Sequence, residues 1–137
     1  MAGNTRGERL NNPANIRISN NPWQGKIEPS QDEAFEQFDT PEHGIRACAK
    51  LLLAYYKDHG LNTIRDIISR WAPNNENDTN SYVSHVSLIV GVASGDTIDL
   101  TDPTTLINFV IGIILHENGE CIYPRETIAQ VCQSVLD

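Results

Sequence analysis

The most constraining stretch of this chain is FVIGIIL (Phe109–Leu115), which is apolar apart from one glycine and runs directly into HENG (His116–Gly119). A helix that is apolar on nearly every side is normally surrounded by other elements of its fold. The sequence Thr101-Asp102-Pro103 is a typical opening for such a helix. We therefore predict a central buried helix whose end carries a histidine and a carboxylate.

The size and charge of the chain limit what the protein can be. With 137 residues it is predicted to form one domain, with an irregular, β-like lobe over residues 1–39 and a helical part over residues 40–137. The formal net charge of −8 argues against nucleic-acid binding and against docking on anionic membranes, since both need a basic surface. No segment reaches the length of a membrane span.

Start signals and apolar spacing predict four further helices. They begin at Thr40, near Asn62-Thr63, near Asn77 or Asp78, and at Tyr123-Pro124. In the first part, IRIS (16–19) and FEQF (35–38) alternate as short strands do. The predicted fold class is mainly α (α+β), with about five helices around the central one and a small N-terminal β-like lobe.

Glu117 is the carboxylate whose predicted surroundings most disfavour a negative charge. It lies at the C-terminal end of a helix, where the helix dipole disfavours negative charge. It also emerges from an apolar core, where desolvation disfavours the ionised form. Both effects are expected to raise its pKa, and an acid that keeps its proton near neutral pH suits general-acid cleavage of a glycosidic bond.

Two alternatives compete with this role of Glu117. On chemistry alone, Glu117 could simply reach solvent, with Asn118-Gly119 as a helix C-cap. His116 is then a residue that complements the dipole, and no H-x-x-x-H pair predicts a metal site. Glu8, just before NNPANI, is a competing catalytic candidate, but it is expected to be more exposed and has no apolar helix before it.

Five blocks of sequence in a fixed order resemble a known protein family. They are RGERLNNPANIR (6–17), WQG (23–25), FEQFDTPEHGIRA (35–47), TIRDIISRWAPNNENDTNSYVSHV (63–86) and HENG (116–119). The chain resembles small phage or prophage proteins, often virion-associated, with the hallmark RNNNPGNI. Leu10 and Ala14 depart from that hallmark, which commonly has asparagine and glycine there. The resemblance implies a structural or lysozyme-like protein, and some members of this family are regarded as peptidoglycan-degrading.

A second resemblance concerns the mechanism. The asparagine block, WQG, the two phenylalanines of FEQF and an apolar helix are similar to part of the bacterial glucosaminidase and lytic-transglycosylase group within the lysozyme-like fold. In that group the catalytic glutamate ends a helix that precedes the asparagine block, and no such helix is predicted before Asn12. LHENG resembles that helix end, so the resemblance implies a lysozyme-like fold with a rotated order of elements.

Five further residues are substrate-binding candidates, each with a structural alternative. The amides of Asn12 and Asn15 suit sugar hydroxyl and N-acetyl groups, but they could equally form an Asx-turn framework. Trp23 could stack on a sugar or pack beside Gly25. Glu76 could face the cleft, although this segment is better suited to capping the next helix. Tyr82 could line the cleft or the edge of the core.

The number of carboxylates bears on the type of reaction. An inverting hydrolase needs two carboxylates on opposite sides of the bond, whereas a lytic transglycosylase can use one glutamate as acid and then base. Asp32, Glu33 and Glu36 lie where a second carboxylate would belong, but a solvated loop is the favoured interpretation for them. One convincing acid favours a transglycosylase over a muramidase or glucosaminidase.

The main hypothesis is a phage-type enzyme that cleaves peptidoglycan glycan strands with no cofactor and no metal. MAGNTRGERL has no apolar run, so a signal peptide is not predicted. The protein would be made in the host cytoplasm and reach the cell wall in a virion or secretion apparatus, or through a holin lesion. The alternative is a non-catalytic virion or tail module that binds the wall or other virion proteins. An effector delivered between bacteria would share the chemistry.

Overall fold

A computed structural model of the chain describes residues 5–73 and 76–137, without the side chains of Glu76 and Asn77. This part of the chain is mainly helical, which confirms the predicted class. It holds six helices where about five were predicted, and their bounds are α1 Arg6–Arg9, α2 Pro41–Asp58, α3 Ile64–Trp71, α4 Glu76–Val90, α5 Pro103–Asn118 and α6 Arg125–Leu136.

Helix α5 is the predicted central helix. It packs against α1, α2, α4 and α6. Seven of its residues are buried, namely Leu106, Ile107, Phe109, Val110, Gly112, Ile113 and Ile114. Gly112 lets α4 approach closely, because a Cβ at that position would lie 3.3 Å from the Cα of Val86. Within the described ranges, no helix is long and apolar enough to cross a membrane.

The helix start signals act as predicted. The side chains of Thr40, Thr63 and Asp102 each accept a hydrogen bond from a backbone N–H in the first turn of the helix that follows. Pro41 and Pro103 occupy first-turn positions, where a missing N–H costs nothing. The end of α5 is capped by Gly119 in the left-handed conformation, with a φ of 76°.

The N-terminal lobe differs from its prediction in two ways. The stretches predicted as strands pair only through isolated antiparallel bridges, Arg17 with Phe35 and Lys26 with Phe38. A short helix, α1, precedes Asn12, where no helix was predicted. Its capping box joins Thr5 to Glu8, and four residues are too few to show an apolar period in the sequence.

Asparagine side chains hold this lobe together in place of strand ladders. The Asn12 amide donates to the carbonyls of Ile16 and Glu36 and accepts from the Ile16 N–H. Asn11 donates to the Phe38 carbonyl at 3.1 Å. Since the Asn12 amide bonds to three backbone groups and the Asn11 amide to a fourth, the lobe is ordered by side-chain bonds that a strand pattern does not reveal.

Gly44 on α2 marks a close contact between the helical part and this lobe. A Cβ there would overlap the Asn11 carbonyl oxygen and touch Pro13. Only a glycine therefore lets α2 lie directly against the asparagine block.

We expect Gly44→Ala to lower the free energy of unfolding by about 2 kcal/mol or more, because overpacking outweighs the roughly 1 kcal/mol gained in helix propensity. Gly95→Ala is the matched control, since a Cβ there meets nothing within 4 Å. Urea unfolding followed by circular dichroism measures both. Equal stabilities of the two variants would contradict the close approach of α2 to Asn11.

Candidate functional site

Glu117 lies in the last turn of α5 and its carboxylate is held from two sides. The Asn15 amide donates to Oε1 at 2.9 Å, and the Tyr82 hydroxyl donates to Oε2 at 2.8 Å. Asn15 belongs to the N-terminal lobe and Tyr82 to α4, so the carboxylate joins two separate parts of the fold. Each carboxylate oxygen keeps further acceptor capacity for a ligand.

Asn15 adopts a backbone conformation that is uncommon for residues other than glycine. Its φ is 53°, in the left-handed region, which asparagine tolerates better than most residues. Its N–H bonds to the Asn12 carbonyl at 3.0 Å, which closes a tight turn. This turn aims the Asn15 amide at Glu117, while its Oδ1 is buried without a hydrogen-bond partner.

Tyr82 is a buried hydrogen-bond donor. Its side chain is only 3% exposed, and its ring stacks on His116 with 3.9 Å between the ring centroids and 27° between the planes. Burial, reinforced by the negative charge of Glu117, raises the pKa of Tyr82 well above its ordinary value. The phenol therefore stays protonated and able to donate to Glu117.

His116 stands between Tyr82 and His85. The Nδ1 atoms of His116 and His85 lie 3.4 Å apart, so one ring can donate to the other when at least one of them is neutral. Desolvation lowers the pKa of His116 below 6.5, although Glu117 opposes this shift. A His116 that is neutral near pH 7 packs between Tyr82 and His85. It does not supply the positive charge by which it was predicted to complement the helix dipole.

Asn118, the residue after Glu117, ties the end of α5 to the N-terminal lobe. Its amide donates to the carbonyls of Pro13 and Ile114 at 2.7 and 3.0 Å, and its Oδ1 accepts from the Thr5 hydroxyl at 2.7 Å. Gly7 packs against it, because a Cβ at Gly7 would lie 2.8 Å from Oδ1 of Asn118. The helix end therefore carries a structural amide next to the candidate acid.

Glu117 lines a groove between the N-terminal lobe and the helices. This part of the groove, which we call the Glu117 chamber, has a volume of about 490 Å³. One wall comes from the N-terminal lobe and the other from the ends of α3, α4 and α5. The lining residues are Arg6, Asn15, Arg17, Phe35, Trp71, Ala72, Pro73, Asp78 and Glu117.

A second chamber adjoins the first and shares Asn15, Arg17 and Trp71 with it. This Trp23 chamber has a volume of about 280 Å³. Three aromatic side chains line it, and the full lining is Asn15, Ile16, Arg17, Ser19, Asn21, Trp23, Leu51, Tyr55 and Trp71. Together the chambers form an elongated groove with a carboxylate in one half and aromatic rings in the other.

Two of the predicted site residues lie away from the groove. Asn12 is fully buried, and its amide is used on backbone groups, which favours the framework alternative. Glu8 was expected to be exposed, but its side chain is 7% exposed and caps α1 through a bond from the Thr5 N–H. Neither residue lines either chamber.

The other predicted binding residues have different positions. Asn15 lines both chambers, and Trp23 is half-buried in the second. Tyr82 lies behind Glu117 and contacts its carboxylate without lining the chambers. The side chain of Glu76 falls outside the described residues.

The groove also contains residues that sequence reasoning did not place there. Trp71 shares a helix face with Ile64, Ile67 and Ile68, a spacing that predicts a core position. It packs against the core, but it is half-buried at the end of α3 and also lines both chambers. Asp78, considered only as a helix cap, lines the Glu117 chamber, as do Arg6 and Arg17. The one sequence signal for these four residues is that they lie in the segments 6–17 and 63–86, which resemble the phage protein family.

The acidic residues of the N-terminal lobe do not supply a partner for Glu117. Glu36 is 1% exposed and lies 3.2 Å from the ammonium group of Lys26, so a solvated loop was the wrong expectation for it. Asp32 accepts hydrogen bonds from the N–H groups of Ala34 and Phe35. None of these carboxylates lines the Glu117 chamber.

Comparison with known proteins adds a phage relative. The chain is 38% identical over 126 residues to Protein P5 of Pseudoalteromonas phage PM2, a match that covers 90% of this chain and 77% of the relative. No protein-family model matches the chain.

The lowered pKa of His116 predicts how the free energy of unfolding depends on pH. Because its pKa in the folded state is lower than in the unfolded chain, the unfolded state binds the proton first as the pH falls. The free energy of unfolding should therefore decrease as the pH drops through about 6.5, and less so in His116→Gln. Urea unfolding between pH 5 and 8 tests this, with the exposed His59→Gln as control. An identical pH dependence in His116→Gln and wild type would contradict it.

Proposed function

The chain belongs to the family of Protein P5 of Pseudoalteromonas phage PM2. We propose, from the geometry of its groove, that it cleaves the glycan strands of peptidoglycan, with Glu117 as general acid and base. One observation carries the proposal. Glu117 faces an elongated groove while fixed donors hold both of its oxygens. A carboxylate that merely capped a helix would need neither the groove nor the two donors.

The surroundings of Glu117 can serve both protonation states. When the carboxylate is ionised, Asn15 and Tyr82 stabilise its charge. When it is protonated, either oxygen can carry the proton, because the Tyr82 hydroxyl can accept a hydrogen bond as well as donate one. A half-turn of the Asn15 amide would bring Oδ1, which has no partner, towards a protonated Oε1.

The proposed reaction proceeds in two proton transfers. Glu117 gives its proton to the glycosidic oxygen as the bond between that oxygen and C1 of the muramoyl residue breaks. The resulting carboxylate then takes the proton of the muramoyl C6 hydroxyl, whose oxygen attacks C1. The product is a 1,6-anhydro sugar, Glu117 is protonated again, and no water is consumed.

The arrangement of carboxylates favours this one-glutamate route over an inverting hydrolase. Asp78 and Glu117 come from α4 and α5, which pack against each other. The opposite wall of the Glu117 chamber has no carboxylate among its described lining residues. Inversion needs a carboxylate on each side of the bond, so the water-activating group would be missing.

The Trp23 chamber suits the rest of a glycan strand. The rings of Trp23, Tyr55 and Trp71 offer flat apolar faces, and Asn15 offers an amide that can bond to sugar substituents. We propose the lysozyme-like fold with a rotated order of elements, because the candidate glutamate ends a buried helix late in the chain. Delivery in a virion agrees with the phage relative.

Glu117→Gln should reduce the release of soluble muropeptides from isolated peptidoglycan by about 10²-fold or more, because an amide cannot transfer the proton. Glu120→Gln is the matched control, three residues further on and outside both chambers, and it should keep wild-type activity. Mass spectrometry of the soluble fraction quantifies the products.

Equal release by Glu117→Gln and wild type would remove Glu117 from the mechanism. If wild-type protein sediments with peptidoglycan but releases nothing, the protein is the non-catalytic wall-binding module instead.

The identity of the product distinguishes the reaction types. We expect anhydro-muramoyl ends, and we expect Asp78→Asn to keep them with activity within a fewfold of wild type, because the one-glutamate route needs no second carboxylate. Mass spectrometry before and after borohydride reduction identifies the ends, since only reducing ends gain two hydrogens. Reducing ends that disappear in Asp78→Asn would identify a hydrolase that uses Asp78.

A further inference from the structure

Two arginines share one aromatic ring on the N-terminal wall of the Glu117 chamber. The Cζ of Arg6 lies 3.9 Å from the centroid of the Phe35 ring, and that of Arg17 lies 4.7 Å from it. Arg17 is the bridge partner of Phe35, so the antiparallel pairing sets their side chains next to each other. Arg6 comes from α1. Cation–π contacts thus hold two positive groups at one place.

Neither of these guanidinium groups forms an ion pair with a carboxylate of the described residues. Within residues 5–73 and 76–137, neither Arg6 nor Arg17 makes an ion pair or a hydrogen bond through its side chain. The pKa of Asp32 is lowered mainly by the hydrogen bond from the Ala34 N–H to its Oδ1 and, to a smaller extent, by the positive charge of Arg6. The forked N–H donors of both arginines are therefore available to a ligand.

Charge is segregated across the groove. Both arginines stand on the N-terminal wall, whereas Asp78 and Glu117 come from the helices opposite. The whole chain carries a net charge of −8, so an anionic ligand is repelled by most of the surface. A pair of cations in the groove is where such a ligand would be attracted.

We propose that Arg6 and Arg17 bind the carboxylates of the peptide stem carried by the muramoyl residue. The groove then selects strands that bear stems over neutral strands of the chitin type. This inference rests on the proposed function and names the substrate feature that the site recognises. Arginine suits the task because its planar fork binds a carboxylate through two parallel hydrogen bonds, whereas neutral sugars offer no such partner.

The test measures affinity in the Glu117→Gln background, so that ligands are not consumed. Calorimetry compares three soluble ligands: disaccharide-peptide oligomers with intact stems, glycan strands stripped by an amidase, which keep lactyl carboxylates, and chitohexaose, which has no anion. The stem-bearing oligomers should bind at least tenfold more tightly than the other two. Arg6→Gln and Arg17→Gln should each weaken only that binding, by about tenfold.

Two further variants test whether the loss of affinity depends on the location of the removed charge and on the geometry of the guanidinium group. Arg125→Gln removes the same charge at the exposed start of α6 and should change no affinity. The double variant Arg6→Lys, Arg17→Lys keeps the charge but loses the fork, and it should bind more weakly than the parent yet more tightly than the double glutamine variant. Thermal unfolding checks that all variants fold.

Three results would overturn the inference. If chitohexaose binds as tightly as the stem-bearing oligomers, the groove does not recognise a negatively charged group. Stripped strands that bind as tightly would assign the arginines to the lactyl carboxylate. Equal losses for all ligands in the arginine variants would give these residues a general structural role. Muropeptide release by wild type tests the proposed function separately, since it can succeed where the stem preference fails.

Discussion

The junction at the end of α5 organises the rest of the molecule. Asn118 binds Thr5 and the Pro13 carbonyl of the N-terminal lobe, while its neighbour Glu117 accepts from Asn15 of the same lobe and from Tyr82 of α4. An apolar helix that is buried along its length fixes the position of this end. The lobe has only isolated bridges in its described part, and two consecutive polar residues at this helix end add to the packing of Ala14, Ile16 and Phe38 in the core in positioning it.

The same junction creates the groove. Because the lobe is held at the end of α5, one face of the lobe lies opposite the ends of α3 and α4. The space between this face and the helices is the groove. The left-handed turn at Asn15 aims an amide into that space, and the bridge between Arg17 and Phe35 brings two guanidinium groups to the same wall. The contacts at the end of α5 thus both stabilise the fold and position the charged groups of the groove.

Local chemistry explains which features could be predicted. The apolar run of α5 and the caps at Thr40 and Asp102 act within a few residues, so the sequence reveals them directly. Helix α1 was missed because it is a single turn that Asn118 supports from more than 100 residues away. Trp71 packs against the core, as its helical spacing predicts, but that spacing does not show that a residue at the end of a helix is only half-buried and can line a groove. The walls of the groove come from segments that are far apart in the sequence, so no hydrophobic period in the sequence predicts that they lie together.

The central claim is that Glu117 acts on a glycosidic bond lying in the groove. A crystal structure of Glu117→Gln with a peptidoglycan tetrasaccharide tests it most directly. We predict that the substituted side chain lies within about 3 Å of a glycosidic oxygen, with sugar rings against Trp23 and Trp71. A saccharide bound outside the groove, or one whose glycosidic oxygens are all beyond the reach of position 117, would contradict the claim.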